Sequence, residues 1–230
     1  MISNERNSGI EFDFIIRKNL YKINKYPENY FKVIFDIGAN IGLFSVFIRM
    51  RHPDSKIIVV EPCIETCRYL RQNINRLDIF LEEKALGSKS PLYLEKGRRG
   101  KHEILGHIFS EESKYSDTYR VESITLEQLA DKYDLKEPYA IKVNCEGGEK
   151  HLLEDTSSHP ILKRADFIGV MVHYKNKRNK SYSQSWLTLE EYESFFNNLL
   201  GQTHYIERHH DNRHGTSVYS IYKDRRFADG

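Results

Sequence analysis

The sequence predicts an α/β fold whose sheet is mostly parallel and carries an antiparallel C-terminal edge. Three observations support this. β-Rich runs alternate with segments of helical period from residue 33 onward, the pattern of βαβ units. The first run, VIFDIG (33–38), ends in a small-residue turn that opens into a helical pattern. The last two runs, HYIERHH (204–210) and TSVYSIYKD (216–224), are separated only by DNRHG, so they are expected to pair antiparallel.

The 230 residues fit one sizeable domain. It is expected over 31–230, behind an N-terminal helical lead-in at 1–30 where Phe12, Phe14, Ile15, Ile16, Leu20 and Tyr21 are scattered before Pro27. Apolar residues make up 39% and charged residues 30%, a folded composition rather than a disordered one. With 35 Lys and Arg against 33 Asp and Glu, the net charge of +2 calls for no polyanionic partner. KGRRGKH (96–102) and HYKNKRNK (173–180) are locally basic and EEYE (190–193) is acidic. These read as solvated loops, with attraction of an anionic substrate as the alternative. No apolar run reaches membrane-spanning length and the N-terminus lacks the order of a secretory signal, so a cytoplasmic location is the default expectation. Cys63, Cys67 and Cys145 form no CxxC and are read as reduced thiols.

Each element follows in order. IGLFSVFIRMR (41–51) places Ile41, Phe44, Ser45 and Ile48 on one helical face. KIIVVE (56–61) is the second strand, and IETCRYLRQNIN (64–75) a helix begun near Pro62. IFLEEKALG (79–87) reads as one strand running into a turn. PLYL (91–94) and YRVESI (119–124) are short strands flanking a long polar insert. TLEQLADKY (125–133) is a helix capped by Thr125, AIKVNCEG (140–147) a strand, and GEKHLLED (148–155) the helix after it. DFIGVMVHY (166–174) is a further strand, and LTLEEYESFFNNLL (187–200) a helix with Thr188 and Glu191 as a capping box.

The first turn sets the ligand class. Counting GxGxxG from Gly38 puts Asn40 and Leu43 where the second and third glycines belong, and no GK[ST] follows, so neither a dinucleotide turn nor a P-loop is present. Gly38, Asn40 and Gly42 instead form a tight turn with free N–H groups at a helix start, and Asp36 before it reads as a receiver of a ligand ammonium. Glu61, at the end of the second strand, suits two ribose hydroxyls. Together they point to an adenosine ligand without a pyrophosphate, for which S-adenosylmethionine is the candidate.

In IKVNCEGGE (141–149), Lys142, Asn144 and Glu146 alternate and are expected on one side of a strand facing something polar. Gly147 and Gly148 permit close backbone approach, and Glu149 falls in the first turn of the next helix. The ordered set FDIGANIG (35–42), EP (61–62), ALG (85–87), TLEQL (125–129) and IKVNCEGGEKHLL (141–153) resembles the FkbM-type S-adenosylmethionine-dependent methyltransferases over about residues 33–175. The resemblance implies a Rossmann-like class I methyltransferase fold and methyl transfer to a hydroxyl, often on a sugar or natural product. It implies that Asp36, Gly38, Asn40 and Gly42 line the methionine and ribose part of the donor and that Glu61 holds the ribose. Glu83 and Lys84 would lie near the adenine, with Asn144 beside the donor. Two positions depart from the family pattern: Asn144 stands where Asp is usual, and Met171 and Val172 precede His173 where a Glu is usual.

Methyl transfer needs alignment and a route for the acceptor's proton. The sequence-based candidates are His173, favoured for its near-neutral pKa, and Glu146, with Lys142 as an orienter or charge partner. The expected acceptor is a polar small molecule or a glycan. RNA ribose methylation through the basic segments, or a catalytically silent scaffold suggested by Asn144, are the alternatives. His209, His210 and His214 lack a Cys partner, so no metal is expected.

Overall fold

The computed structural model describes residues 12–88, 90–95, 108–109, 118–175, 187–212 and 215–228. The lead-in comprises one π-helical turn, Asp13–Arg17, and one 3-10 turn, Ile23–Lys25. It is followed by β1 (Val33–Ile37), α1 (Leu43–Arg51), β2 (Lys56–Val60), α2 (Ile64–Ile74) and β3 (Ile79–Glu82). Four short strands come next: β4 (Ala85–Leu86), β5 (Leu92–Glu95), β6 (Ile108–Phe109) and β7 (Thr118–Val121). The chain continues through β8 (Ser123–Ile124), α3 (Leu126–Lys132), β9 (Tyr139–Val143), α4 (His151–Glu154) and α5 (His159–Arg164). It closes with β10 (Phe167–His173), α6 (Leu189–Leu200), β11 (Tyr205–Asn212) and β12 (Thr216–Tyr222).

The main sheet runs β11-β12-β10-β9-β1-β2-β3, with β10, β9, β1, β2 and β3 parallel and β12 antiparallel to both β10 and β11. All five residues of β1 and of β9 are buried, as central parallel strands covered on both faces require. Strand order reverses beside β1, where crossovers leave to either side and open a crevice at the strands' C-terminal ends. On one face Phe35, Ile37, Ile141 and Val143 pack with α3, α5 and α6. On the other, Ile34 and Ala140 pack with α1, α2 and the lead-in through Phe44, Leu70, Tyr21 and Tyr26. The period of two puts Asp36 and Lys142 on this second face, paired in register across β1 and β9. The expected Thr188–Glu191 capping box forms, and Thr125, expected as a cap, completes a second box with Gln128.

Three sequence expectations are corrected. IFLEEKALG is two strands, because the chain leaves the main sheet after Glu82 and β4 pairs with β8 in a separate small sheet. The strand expected over 140–147 ends at Val143. Asn144 N still donates to Ile37 O at 3.0 Å, but Glu146 and Gly147 then adopt left-handed backbone with φ of 50° and 97°. Lys142, Asn144 and Glu146 therefore do not share a strand face. The helix expected from 148 begins as a 3-10 turn, Gly148–Lys150, and its α-helical part is only four residues. Among the described residues no helix is long and apolar enough to cross a membrane.

Candidate active site

The turn after β1 is built by close backbone approach. Gly38 N and Ala39 N donate to Val60 O at 2.8 and 3.1 Å. Gly38 has φ of +70°, and a Cβ there would stand 1.9 Å from Asn144 O, so only glycine fits between the β1 and β9 exits. Gly42 has φ of +85°, and a Cβ there would meet a side-chain tip, Leu70 Cδ1 of α2, at 2.6 Å.

Asp36 is not among the residues that line the cavity described below. It is fully buried, takes an ion pair from Lys142 Nζ at 2.8 Å, and accepts a hydrogen bond from the Ser45 hydroxyl on α1. Lys142 Nζ also donates to Gly38 O at 2.8 Å. The ammonium that the sequence reading sought for Asp36 is thus supplied by the protein, and it ties the turn to β9. Burial alone would lower the Lys142 pKa, but the Asp36 carboxylate more than offsets this and holds it above its usual value.

Glu61 accepts backbone N–H bonds from Asn40 at 2.9 Å and from Cys63 at 3.0 Å, one on each carboxylate oxygen. Each oxygen retains a second lone pair for a ligand hydroxyl. Burial pushes its pKa up to about 7, against the opposing pull of those two N–H groups and Lys142.

Beyond β9, His173 is 5% exposed between two carboxylates. Its Nδ1 lies 3.1 Å from Glu149 Oε1 and its Nε2 3.4 Å from Glu146 Oε2. Burial opposes a charged ring, yet Glu146 and Glu149 raise its pKa to about 9. The ring thus sits between two carboxylates that favour its charged form, whereas the sequence suggested it for a near-neutral pKa. Glu149, fully buried, also accepts the N–H groups of Cys145 and Gly147 at 2.5 and 2.9 Å, so it fixes both its own turn and the ring.

A cavity of about 300 Å³ adjoins the turn, within the size of small-molecule sites. Its lining includes Gly38, Asn40, Lys142, Asn144 and Glu146 together with Phe14, Leu20, Tyr21, Met171 and His210. Asn144 Oδ1 and Tyr21 Oη are buried there without a hydrogen-bond partner. The turn and the β9 exit thus share one cavity, whereas Glu61 is not among its lining residues and reaches it through its hydrogen bond from Asn40 N. Glu83 and Lys84 are not among the cavity's lining residues: Glu83 pairs with Arg71 and Lys84 with Glu122 at 3.3 Å.

Residues 36–200 match the family described as Methyltransferase FkbM domain. The chain belongs to the FkbM methyltransferase family. This FkbM methyltransferase is 37% identical over 83 residues to methyltransferase sdnD of Sordaria araneosa, a match spanning 34% of this chain and 31% of that protein. It superposes on the FkbM methyltransferase of Methylobacillus flagellatus KT with a TM-score of 0.51 at 13% identity, covering 83% of this chain and 43% of that one. A putative rRNA-methylase from Clostridium thermocellum gives 0.50 at 10% identity, covering 97% of this chain and all of that one. These structural likenesses establish the Rossmann-like class I methyltransferase fold.

Several residues of this FkbM methyltransferase site were not singled out as functional by the sequence. Ser45 was legible only as a helix position and Tyr21 only as one of several scattered apolar residues. Gly169, a glycine inside β10, was the available signal for Tyr21: a Cβ there would meet Tyr21 Cβ at 3.0 Å. Of the three C-terminal histidines, His209 pairs with Ser220 Oγ at 2.7 Å and His210 stands edge-on to Phe14 on the cavity wall, while His214 lies outside the described residues. Among the described residues no group of three or more His, Cys, Asp or Glu is placed to hold a metal ion. The basic segment 96–102 and residues 176–180 also lie outside the described residues. His173 and Tyr174, which begin the second basic segment, are buried.

Proposed function

We propose that this methyltransferase uses S-adenosylmethionine to methylate a hydroxyl of a small molecule, with Glu146 accepting the hydroxyl proton. Glu146 carries this reading. It is a partly exposed carboxylate on the wall of the cavity beside the donor turn, with the His173 imidazolium 3.4 Å away to orient it. A carboxylate therefore stands at the cavity even though position 144 is an amide, which argues against a silent scaffold.

The residues around the turn suit the donor. Glu61 keeps acceptor capacity for the ribose, and the orphaned Asn144 Oδ1 matches an ammonium. Gly38, Asn40 and Gly42 shape the backbone beside the methionine part, with Asp36 acting on it only through Lys142. Glu83 and Lys84, where the chain crosses from β3 to β4, border the adenine end. When bound, the donor supplies a sulfonium-activated methyl group. The protein's part is to align the acceptor oxygen and to take its proton onto Glu146, while His173 and Glu149 fix that carboxylate's position.

The cavity wall favours a small molecule with an apolar body over a glycan. Phe14, Ile15, Leu20, Phe44 and Met171 offer no partners for the many hydroxyls a sugar chain would bury. Transfer of radiolabelled methyl groups across a panel of hydroxyl acceptors tests the reading. Glu146→Gln is expected to slow transfer by about 10²- to 10⁴-fold while leaving the affinity for S-adenosylhomocysteine unchanged. A Glu146→Gln protein of full rate would sink the assignment of Glu146, and a parent protein that binds neither S-adenosylmethionine nor S-adenosylhomocysteine would sink the donor.

A further inference from the structure

We infer that the β-bulge at His209 makes this histidine a positioning residue: it turns two consecutive imidazoles of β11 onto one face of the sheet, where they dock the N-terminal lead-in. β11 and the lead-in both lie outside the matched family segment 36–200. The kinetic consequence of this docking rests on the acceptor reading above.

The register shows what the bulge does. β11 pairs regularly with β12 as far as Arg208 opposite Tyr219, then resumes with His210 opposite Val218, so His209 is the extra residue. Side chains of a strand alternate between its two faces. Glu207 lies on the lead-in face, 3.8 Å from Lys25, and Arg208 on the other, 2.7 Å from Glu193 of α6. Unbroken alternation would return His210 to the α6 face. The extra residue instead sets it opposite Val218, which shares a core cluster with Leu20, Tyr21 and Tyr26 of the lead-in.

Each histidine then holds a different point of the lead-in. His209 Nε2 lies 2.7 Å from Ser220 Oγ, and that buried hydroxyl donates its hydrogen to Tyr21 O at 2.8 Å. The imidazole must therefore donate to the serine. Burial lowers the His209 pKa to about 4 against the pull of Glu207, and Lys22, His210 and Lys25 add to the effect. At pH 7 the ring is neutral, and its single N–H is committed to Ser220. His210 stands edge-on to Phe14, with ring centroids 5.8 Å apart. Between the two anchors Leu20 N donates to Phe14 O at 3.0 Å, and the chain bends through left-handed backbone at Asn19, with φ of 47°. The anchors thus fix where Phe14, Ile15 and Leu20 stand in the cavity lining.

Neither His209 nor Ser220 lines the cavity, so one anchor can be removed without altering its wall. Amide hydrogen exchange, followed by mass spectrometry, compares the parent with Ser220→Ala, His209→Ala and His209→Gln, the last of which keeps an N–H donor. Exchange over residues 14–21 is expected to quicken by about three- to tenfold in the two alanine variants, the loss of one hydrogen bond. β1 and β9 should keep the parent's rate, and His209→Gln should return towards it. In the same alanine variants the KM for the acceptor should rise by about threefold or more, with S-adenosylhomocysteine affinity within about twofold of the parent's. Exchange at the parent's rate in both alanine variants would overturn the docking role. So would exchange quickened evenly over the whole sheet, which marks general destabilisation, or a His209→Gln protein that behaves as His209→Ala. Quickened exchange with an unchanged KM would overturn the link to acceptor binding. A parent that methylates no acceptor fails the transferase reading instead, while the exchange rates still decide the docking.

Discussion

Replacing Asp36 by Asn separates two roles for the first-turn acid. If Asp36 bound a ligand ammonium, the variant would fold normally and lose donor affinity. In the structure it is fully buried, and its partner Lys142, with a side chain only 4% exposed, stands 2.8 Å away. Asparagine keeps the size but leaves the ammonium without a counter-charge, with only neutral amide oxygens, its own and that of Gly38, as acceptors. Breaking a buried pair from one side costs about 3–5 kcal/mol, a large part of a domain's net stability. For a chain of this size that is a fall of about 10 °C in melting temperature. Urea unfolding of Asp36→Leu, Lys142→Met and the Asp36→Leu/Lys142→Met double variant forms a mutant cycle, with Asp36→Asn measured beside it. The double variant should recover most of the loss, because an apolar pair of similar volume needs no charge compensation. An Asp36→Asn protein within about 1 kcal/mol of the parent, yet weakened for S-adenosylhomocysteine, would refute this reasoning and restore the ligand role.

Three further outcomes follow from the site. Glu61, with a pKa pushed up to about 7 by burial, must be ionised to accept two ribose hydroxyls. S-adenosylhomocysteine affinity should therefore fall about tenfold between pH 8 and pH 6; calorimetry showing a flat profile would count against ribose binding there. The same shift has a stability sign: the folded state holds a proton that the unfolded chain releases above its ordinary value of 4.5, so the unliganded protein loses stability as pH rises from there through 7. Gly38→Ala places a Cβ 1.9 Å from a backbone oxygen at φ of +70°, a clash that no side-chain rotation relieves. It is expected to lower the melting temperature by about 10 °C or more, and a variant that melts with the parent would show that the β1 and β9 exits are free to part.

The period of the apolar runs determined the order of the long elements. VIFDI, KIIVV and FIGVMVH have no alternative to burial in a sheet, and Thr125 and Thr188 with their third-residue partners cap helices by local hydrogen bonds that sequence spacing alone specifies. Glu61 was legible for the same reason, since a strand end fixes where an acid must sit. What failed were inferences about which side chain meets which across distant segments. Asp36 and Lys142 are 106 positions apart and neutralise each other because β1 and β9 come into register, a pairing that neither segment encodes alone. His173 became an imidazolium because Glu146 and Glu149, on a turn with left-handed backbone, close on it from two sides. Tyr21 looked like one apolar residue among several until packing against Gly169 and Phe44 left its buried hydroxyl without a hydrogen-bond partner. The sequence by itself determined the elements and their family, because periodicity and capping are local. Only the tertiary structure decided the charge state and duty of each buried polar group, because those depend on burial and on partners brought from elsewhere in the chain.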